Sequence, residues 1–489
     1  MKCFVRSAGC SVLVPCFVLV LGASAASAQE APDRSGPPSL DAPRTLTLPP
    51  VAKRTLSNGI PVWIVEQHEV PVASVALVIK SGGSADPAGK FGLASFTATM
   101  LDEGAGSRDA LALADAIDFL GASIDTGAGF DASTVSLYTP VSRLGEAPDL
   151  MADVARSPAF AASEIERVRT ERLTSLLQIR DNPPAIGATA FPRLIYGETH
   201  RYGTGLAGTT ATVTSFTADD LRAFHAAHYR PGNAHLIVVG DVAPDAVMAS
   251  LEKSFGGWRA AATAAPASPA PEAFAAPDSR ERTIYLIDKP GAAQSVIRIG
   301  WAGAPRATPD YYAIQVLNTI LGGSFTSRLN TNLRETHGYA YGAGSGFDMR
   351  LAAGPFVATA NVQTDKTSES LTEFFNELTR IGETIPADEL DKARNYIALG
   401  FPQDFETTRD IAAKLTEQVI YELPEGWYNG YMAKIQAVTA ADVERVADKY
   451  ITPDRFAVVV VGDLKTIEPR VRALNLGAVR VVPMDDILK

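Results

Sequence analysis

The sequence predicts an α+β protein of two homologous domains, each a mainly antiparallel sheet with helices packed on one face. Three observations carry this. The chain has 489 residues, too many for one compact core. Two long stretches, one near the end of each half, repeat one another. In both halves, hairpin-like strand pairs precede runs of helical periodicity, which argues for α+β rather than a parallel sheet.

The repeat is the firmest of the three. TADDLRAFHAAHYRPGNAHLIVVGDV starts at Thr217 and TAADVERVADKYITPDRFAVVVVGDL at Thr439. Each opens on a Thr N-cap with an acidic residue in the first turn. Each then runs as a helix to a Tyr (Tyr229, Tyr450), turns at a Pro (Pro231, Pro453) and enters an apolar strand ending in Gly-Asp. Pro231 to Gly240 and Pro453 to Gly462 are equally spaced, as expected of duplicated units.

The remaining elements follow in order. Residues 60–65 and 73–79 are β-rich runs separated by the turn-like Glu69-Val70-Pro71, and residues 283–287 with 295–301 repeat that pattern. Helical periodicity appears at 91–101, 111–120 and 162–177, and again at 313–321, 324–334 and 368–380.

The ends of these units are marked by composition. Residues 1–28 carry Lys2 and Arg6, an apolar run from Cys10 to Gly22 and the small-residue site Ala26-Ser27-Ala28, the pattern of a cleavable secretory signal. The apolar run is too short for a spanning helix and contains Pro15. Residues 29–47 read as a flexible leader, and the Ala/Pro-rich residues 260–279 as a semi-rigid linker between domains at 48–259 and 280–489.

All three cysteines, Cys3, Cys10 and Cys16, lie in the signal, so the exported product contains none. That excludes disulfides, a zinc ribbon and a thiol nucleophile, and suits a periplasmic protein with no membrane span in its mature form. The net charge of −11 is a mild excess without basic runs, which argues against a nucleic acid partner.

Within residues 92–101, GLASFTATML, Leu93, Phe96, Met100 and Leu101 share one helical face. Ser95, Ala98 and Thr99 fall on the other, which is small and uncharged. This segment resembles the metal helix of the inverted-zincin peptidases, the family of pitrilysin, insulin-degrading enzyme and the mitochondrial processing peptidase. There the helix reads G-x-A-H-x-x-E-H-M-L, and a third ligand Glu follows some seventy-five residues later. Gly92, Ala94, Met100 and Leu101 match. Ser95 and Thr99 stand where the two zinc-binding His belong, Ala98 where the general-base Glu belongs, and Ser175 at or near the third ligand. The resemblance implies a clamshell of two domains, and hydroxyls and a methyl are no ligand set for zinc.

The second half keeps the other part of the family's machinery. Residues 321–341, LGGSFTSRLNTNLRETHGYAY, predict a helix with Leu329 and Leu333 at i, i+4, Arg334 in its last turn, a C-cap at Gly338 and Tyr341 on the next strand. From the residues alone, Arg334 reads as a cation at a helix C-terminus and Tyr341 as a half-buried strand aromatic. The stretch also resembles the family motif S-R-L-x-x-x-L-R-E-K-x-G-L-A-Y, whose Arg and Tyr reach the substrate backbone beside the zinc. Ser327, Arg328, Leu329, Leu333, Arg334, Glu335, Gly338, Ala340 and Tyr341 match; Tyr339 replaces a Leu. A guanidinium and a phenol are donors that can hold a peptide carbonyl and strengthen as its oxygen gains charge.

What the resemblance implies is a non-catalytic, substrate-binding subunit of a heterodimeric periplasmic zinc metallopeptidase. This chain supplies Arg334 and Tyr341; a homologous partner carries the zinc, and this chain binds no cofactor of its own. The substrate would be a peptide or unfolded protein, adding a strand to a sheet edge near residues 121–133. Two alternatives stand beside it: a peptide-binding or scaffold protein of the same fold, and an active metallopeptidase with relocated ligands. His225 and His228 could serve the latter by spacing, but they lack a carboxylate partner and read as helix-end caps. His68, His200, His235 and His337 are isolated, and Gly342-x-Gly344-x-Gly346 reads as a glycine-bearing strand rather than a dinucleotide loop.

Overall fold

The computed structural model describes residues 46–260 and 281–489. The expected signal peptide, nearly all of the leader and nearly all of the Ala/Pro linker lie outside the described residues. Both copies of the repeat fold alike. Thr217 and Thr439 each accept from the backbone N–H three residues on, while Asp220 and Asp442 bond back to the cap, two reciprocal capping boxes. The helices run Ala218–His228 and Ala440–Tyr450, and Pro231 and Pro453 open short 3₁₀ turns into the strands that follow.

The first sheet holds six strands, β1 (Ala52–Thr55), β2 (Pro61–Glu66), β3 (Val72–Ile79), β4 (Ser123–Ala128), β5 (Ser133–Pro140) and β6 (Ala234–Gly240), in the order β1-β2-β6-β3-β5-β4. The second holds β7 (Thr283–Asp288), β8 (Gln294–Ala302), β9 (Ala340–Phe347), β10 (Pro355–Gln363), β11 (Ala457–Gly462) and β12 (Ala478–Val481), in the order β12-β7-β11-β8-β10-β9. Five strands superimpose in order and direction. β2 runs parallel to β6 as β7 does to β11, and every later neighbour in both series is antiparallel. The strands differ at one edge, where β1 joins β2 antiparallel and β12 joins β7 parallel.

Each half packs its own helices on one face of its sheet. In the first half, Ile64, Val75, Leu77 and Val238 meet Phe96, Leu113, Met151 and Phe224; in the second, Ile297, Ile299 and Val460 meet Ile314, Leu317, Phe374 and Val446. The opposite faces are covered by an exchange that the sequence does not announce. The helix Pro183–Tyr196 of the first half lays Ile186, Ala190, Phe191 and Ile195 on Ile287, Val296, Val459 and Val461 of the second sheet. The helix Thr408–Ile420 of the second half lays Ile411, Ala412, Leu415 and Val419 on Val65, Ala76, Val78, Ile237 and Val239 of the first. The central strands are therefore buried on both sides, which is why HLIVVG and AVVVVG are continuous apolar runs rather than alternating ones.

Candidate functional site

The helix bearing the small-residue face spans Leu93–Thr99 and packs against β4, the outermost strand of the first sheet. Its entry is fixed by a buried carboxylate. Asp86 accepts from the N–H groups of Gly92 (2.7 Å) and Ala94 (2.7 Å) and pairs with Arg201 Nη2 at 2.8 Å. Gly92 sits at φ +101°, and a Cβ there would lie 2.7 Å from Gly208 Cα, so only glycine serves at this cap. Arg201 also donates to the carbonyls of Gly83 and Thr204 and lies 5.1 and 4.9 Å from the ring centres of Phe91 and Phe130. Leu93, Phe96, Met100 and Leu101 are all buried, as their periodicity predicts.

Ser95 and Thr99 stay half-exposed on the other side of this helix, while Ala98 is fully covered. The residue that meets the two hydroxyls comes from the helix Ala162–Gln178 and is Arg172, one turn before Ser175. Arg172 Nη1 donates to Ser95 Oγ at 3.1 Å and Nη2 to Thr99 Oγ1 at 2.9 Å. Its guanidinium also stands 5.3 Å from the Phe96 ring centre. Thr99 in turn donates to the Ser95 carbonyl (3.0 Å), so its lone pairs face the arginine. Ser175 is exposed, and its hydroxyl is bonded to the Glu171 carbonyl in its own helix. Burial pushes the Arg172 guanidinium below its ordinary range, and no carboxylate offsets that shift.

These residues do not fit a zinc ion. Serine and threonine hydroxyls are poor ligands, and the position between them is taken by a fixed positive charge that would repel a dication. Among the described residues, no three His, Cys, Asp or Glu side chains gather as a metal site would require. Arg172 was not singled out in the sequence. In a helix that also carries Glu164, Glu166, Arg167, Arg169 and Glu171, Arg172 reads as one more member of a solvated charge ladder, and only the packing of two helices turns it inward.

In the second half the helix expected over 324–334 begins later and ends wider. An α turn at Arg328–Asn330 passes into a π turn at Thr331–Thr336, with His337 N–H reaching back to the Asn332 carbonyl. Gly338 adopts φ +64° just past the helix, as a C-terminal glycine should. Arg334 lies in the last turn and Tyr341 on β9, both as expected. The environment of Tyr341 is not the half-buried one predicted from the residues alone, because β9 is the outer strand of its sheet and the side chain is 85% exposed.

Arg334 is sandwiched between two rings, its guanidinium 4.9 Å from the centre of Tyr341 and 4.7 Å from that of Phe325, with Glu335 3.0 Å from its Nε. Stacking of this kind orients the guanidinium while leaving N–H groups at its edge for a ligand. Asn330 holds the frame. Its amide donates to the Phe325 carbonyl (2.6 Å) and its oxygen accepts from Ala343 N–H on β9 (3.1 Å). Neither Phe325 nor Asn330 was legible as a site residue, since their partners are distant in the chain or reached only through the turn.

The other candidates resolve into packing. His225 Nε2 donates to the Ala155 carbonyl (2.9 Å), at the end of the helix Ala147–Arg156, and the ring stacks on Tyr229 at 4.8 Å. His228 bonds Ser81 at 2.8 Å. The two do not converge on one point, and burial lowers both pKa values, that of His228 to about 4. His68 pairs with Asp241 (2.7 Å), His200 accepts from Tyr202 N–H (3.0 Å), His235 meets Trp63 edge-on and His337 stacks on Tyr339. Gly342, Gly344 and Gly346 all lie in β9.

Fold and site together define a duplicated peptidase-type scaffold. Two family models match it: Insulinase (Peptidase family M16) over residues 62–200, and Peptidase M16 inactive domain over residues 215–397. The chain belongs to peptidase family M16. It is 26% identical over 399 residues to an uncharacterized zinc protease of Mycobacterium leprae, covering 81% of this chain and 87% of that protein. It is 23% identical over 414 residues to one of Rickettsia bellii, covering 83% and 96%. Among solved structures it resembles a peptidase M16 inactive domain from Pseudomonas fluorescens, with a TM-score of 0.78, 26% identity and coverage of 85% of this chain and 98% of that one. A protease from Helicobacter pylori shares the fold, with a TM-score of 0.77, 22% identity and coverage of 85% and 100%.

Proposed function

We propose that this chain is a non-catalytic, substrate-binding subunit of a periplasmic zinc peptidase, working with a homologous partner that carries the metal. The observation that carries the reading is the contrast between the two half-sites. The position that the resemblance assigns to the metal is filled by the Arg172 guanidinium on Ser95 and Thr99, whereas Tyr341 is exposed and half-buried Arg334, stacked on it and paired with Glu335, lies beside it. A protein kept only as a scaffold has no need to hold Arg334 between Phe325 and Tyr341. The relocated-ligand alternative is disfavoured because His225 and His228 are each committed to a different partner.

In this reading the chain holds no zinc and no other cofactor. An extended peptide adds to the outer edge of β4, beside the Leu93–Thr99 helix. Arg334 and Tyr341 donate to the peptide carbonyl whose oxygen gains charge at the partner's metal. The signal-like residues 1–28 support export, and among the described residues no helix is long and apolar enough to cross a membrane.

The test is co-expression with a homologue from the same genome that contains an intact H-x-x-E-H. Arg334→Ala is expected to abolish peptide cleavage by the complex, a loss of at least about a hundredfold, while the two chains still co-elute. A cleavage rate unchanged by the substitution removes the role. Metal analysis of the isolated chain is expected to return no stoichiometric zinc.

A further inference from the structure

We infer that the Ser95–Thr99–Arg172 site binds a carboxylate, and that a peptide lying along β4 presents it. The inference rests on the substrate-binding reading above and adds a chemical class of ligand to it. Arg172 is a half-buried cation whose polar partners are two neutral hydroxyls, and no described carboxylate pairs with it. The most deeply buried arginines in this protein are neutralised, Arg201 by Asp86, Arg306 by Glu417 and Arg328 by Glu389, whereas half-buried Arg172 and Arg298 have no carboxylate partner among the described residues. What sets Arg172 apart is that two hydroxyls orient its uncompensated guanidinium, and an incoming anion would relieve its burial.

The geometry suits one group in particular. Serine and threonine engage the two terminal nitrogens, one each, which leaves the Nε side of the planar fork for two parallel bonds to a carboxylate. Thr99 spends its hydrogen on the Ser95 carbonyl, but Ser95 accepts from Arg172 and keeps a hydrogen to donate. Phe96 beneath the guanidinium, 5.3 Å away, holds the plane in place. Because the Leu93–Thr99 helix packs on β4, a strand added to that edge passes this fork.

A carboxylate on such a strand has two sources, the C-terminus of the peptide or an acidic side chain. The test separates them with three fluorescein-labelled Ala/Ser decapeptides: one with a free C-terminal acid, one with a C-terminal amide, and one amidated with a single internal Glu. Binding to the full chain is read by fluorescence anisotropy. The free acid is expected to bind about tenfold more tightly than the plain amide, an advantage lost in Arg172→Gln, which keeps a polar side chain and removes the charge. Arg334→Ala is expected to weaken all three peptides alike. If the Glu-bearing amide matches the free acid, side chains are accepted; if it matches the plain amide, the site reads chain termini.

Equal affinity of the wild-type chain for all three peptides overturns the carboxylate site and leaves peptide binding intact. Absence of binding by any of them removes the substrate-binding reading as well. An acid preference that persists in Arg172→Gln assigns the discrimination elsewhere and also overturns the inference. The wild-type comparison needs no variant, so it does not depend on how Arg172→Gln folds.

Discussion

Arg201→Met isolates the pair that fixes the Leu93–Thr99 helix. Both side chains are almost wholly buried, at 2% and 0% exposure for Arg201 and Asp86. Removing the guanidinium leaves a carboxylate with two backbone N–H donors and no counter-charge, and breaking a buried pair in this way costs about 3–5 kcal/mol. The carbonyls of Gly83 and Thr204 also lose a donor, at about 1 kcal/mol each, partly compensated if water enters. The expected loss is therefore about 4–6 kcal/mol, read as a shift of the urea midpoint followed by tryptophan fluorescence. Adding Asp86→Asn should recover part of it, because Asn keeps an acceptor for Gly92 or Ala94 N–H without the buried charge. A single-variant loss below about 1 kcal/mol, or a double variant less stable than Arg201→Met, refutes the assignment of this pair as the anchor.

Three further predictions concern the exchange of helices and the buried histidines. Leu415 is 5% exposed on the face of the first sheet that its own half leaves bare, so Leu415→Ala should cost about 2–5 kcal/mol. For the same reason residues 48–259 expressed alone should aggregate, yet recover a soluble complex when co-expressed with residues 280–489; a soluble, cooperatively folding first half would contradict this. The pKa of His228 is lowered to about 4 by burial and by Arg230, and that of His235 to about 4 by burial and by Lys80. An unfolded histidine titrates near 6.5, so between about pH 6.5 and 4 the unfolded chain binds more protons and stability falls as pH drops. The loss from His228 approaches about 3 kcal/mol at the acid end, and His228→Gln should flatten that part of the profile. A urea midpoint that stays constant from pH 7 to pH 5 in the wild type, with no change on substitution, would count against it.

How much of this was legible beforehand differs between the two half-sites. Arg334, Gly338 and Tyr341 form one contiguous stretch, and local rules place them: a helix ends at a glycine and the next strand begins. The small, uncharged helix face of Ser95, Ala98 and Thr99 was equally local. What joins Ser95 and Thr99 to Arg172, however, is a contact across 77 and 73 positions of chain between two helices. No periodicity within either helix reports on it. Similarly, Phe325 became part of the Arg334 sandwich because Asn330 ties its loop to β9, a bond that spacing alone does not encode.

The sequence by itself determined the duplication, the α+β class and the small, uncharged residue types at positions 95, 98 and 99, because these depend on residue type and on patterns a few positions long. The tertiary structure decided three other things. It set the reciprocal exchange of the helices Pro183–Tyr196 and Thr408–Ile420, since an apolar helix face does not state which sheet it will cover. It exposed Tyr341 by placing β9 at a sheet edge, because strand order depends on pairings remote in sequence. Above all it put a guanidinium on Ser95 and Thr99: the charge of Arg172 is written in the chain, but its location at these hydroxyls follows only from packing one helix against another.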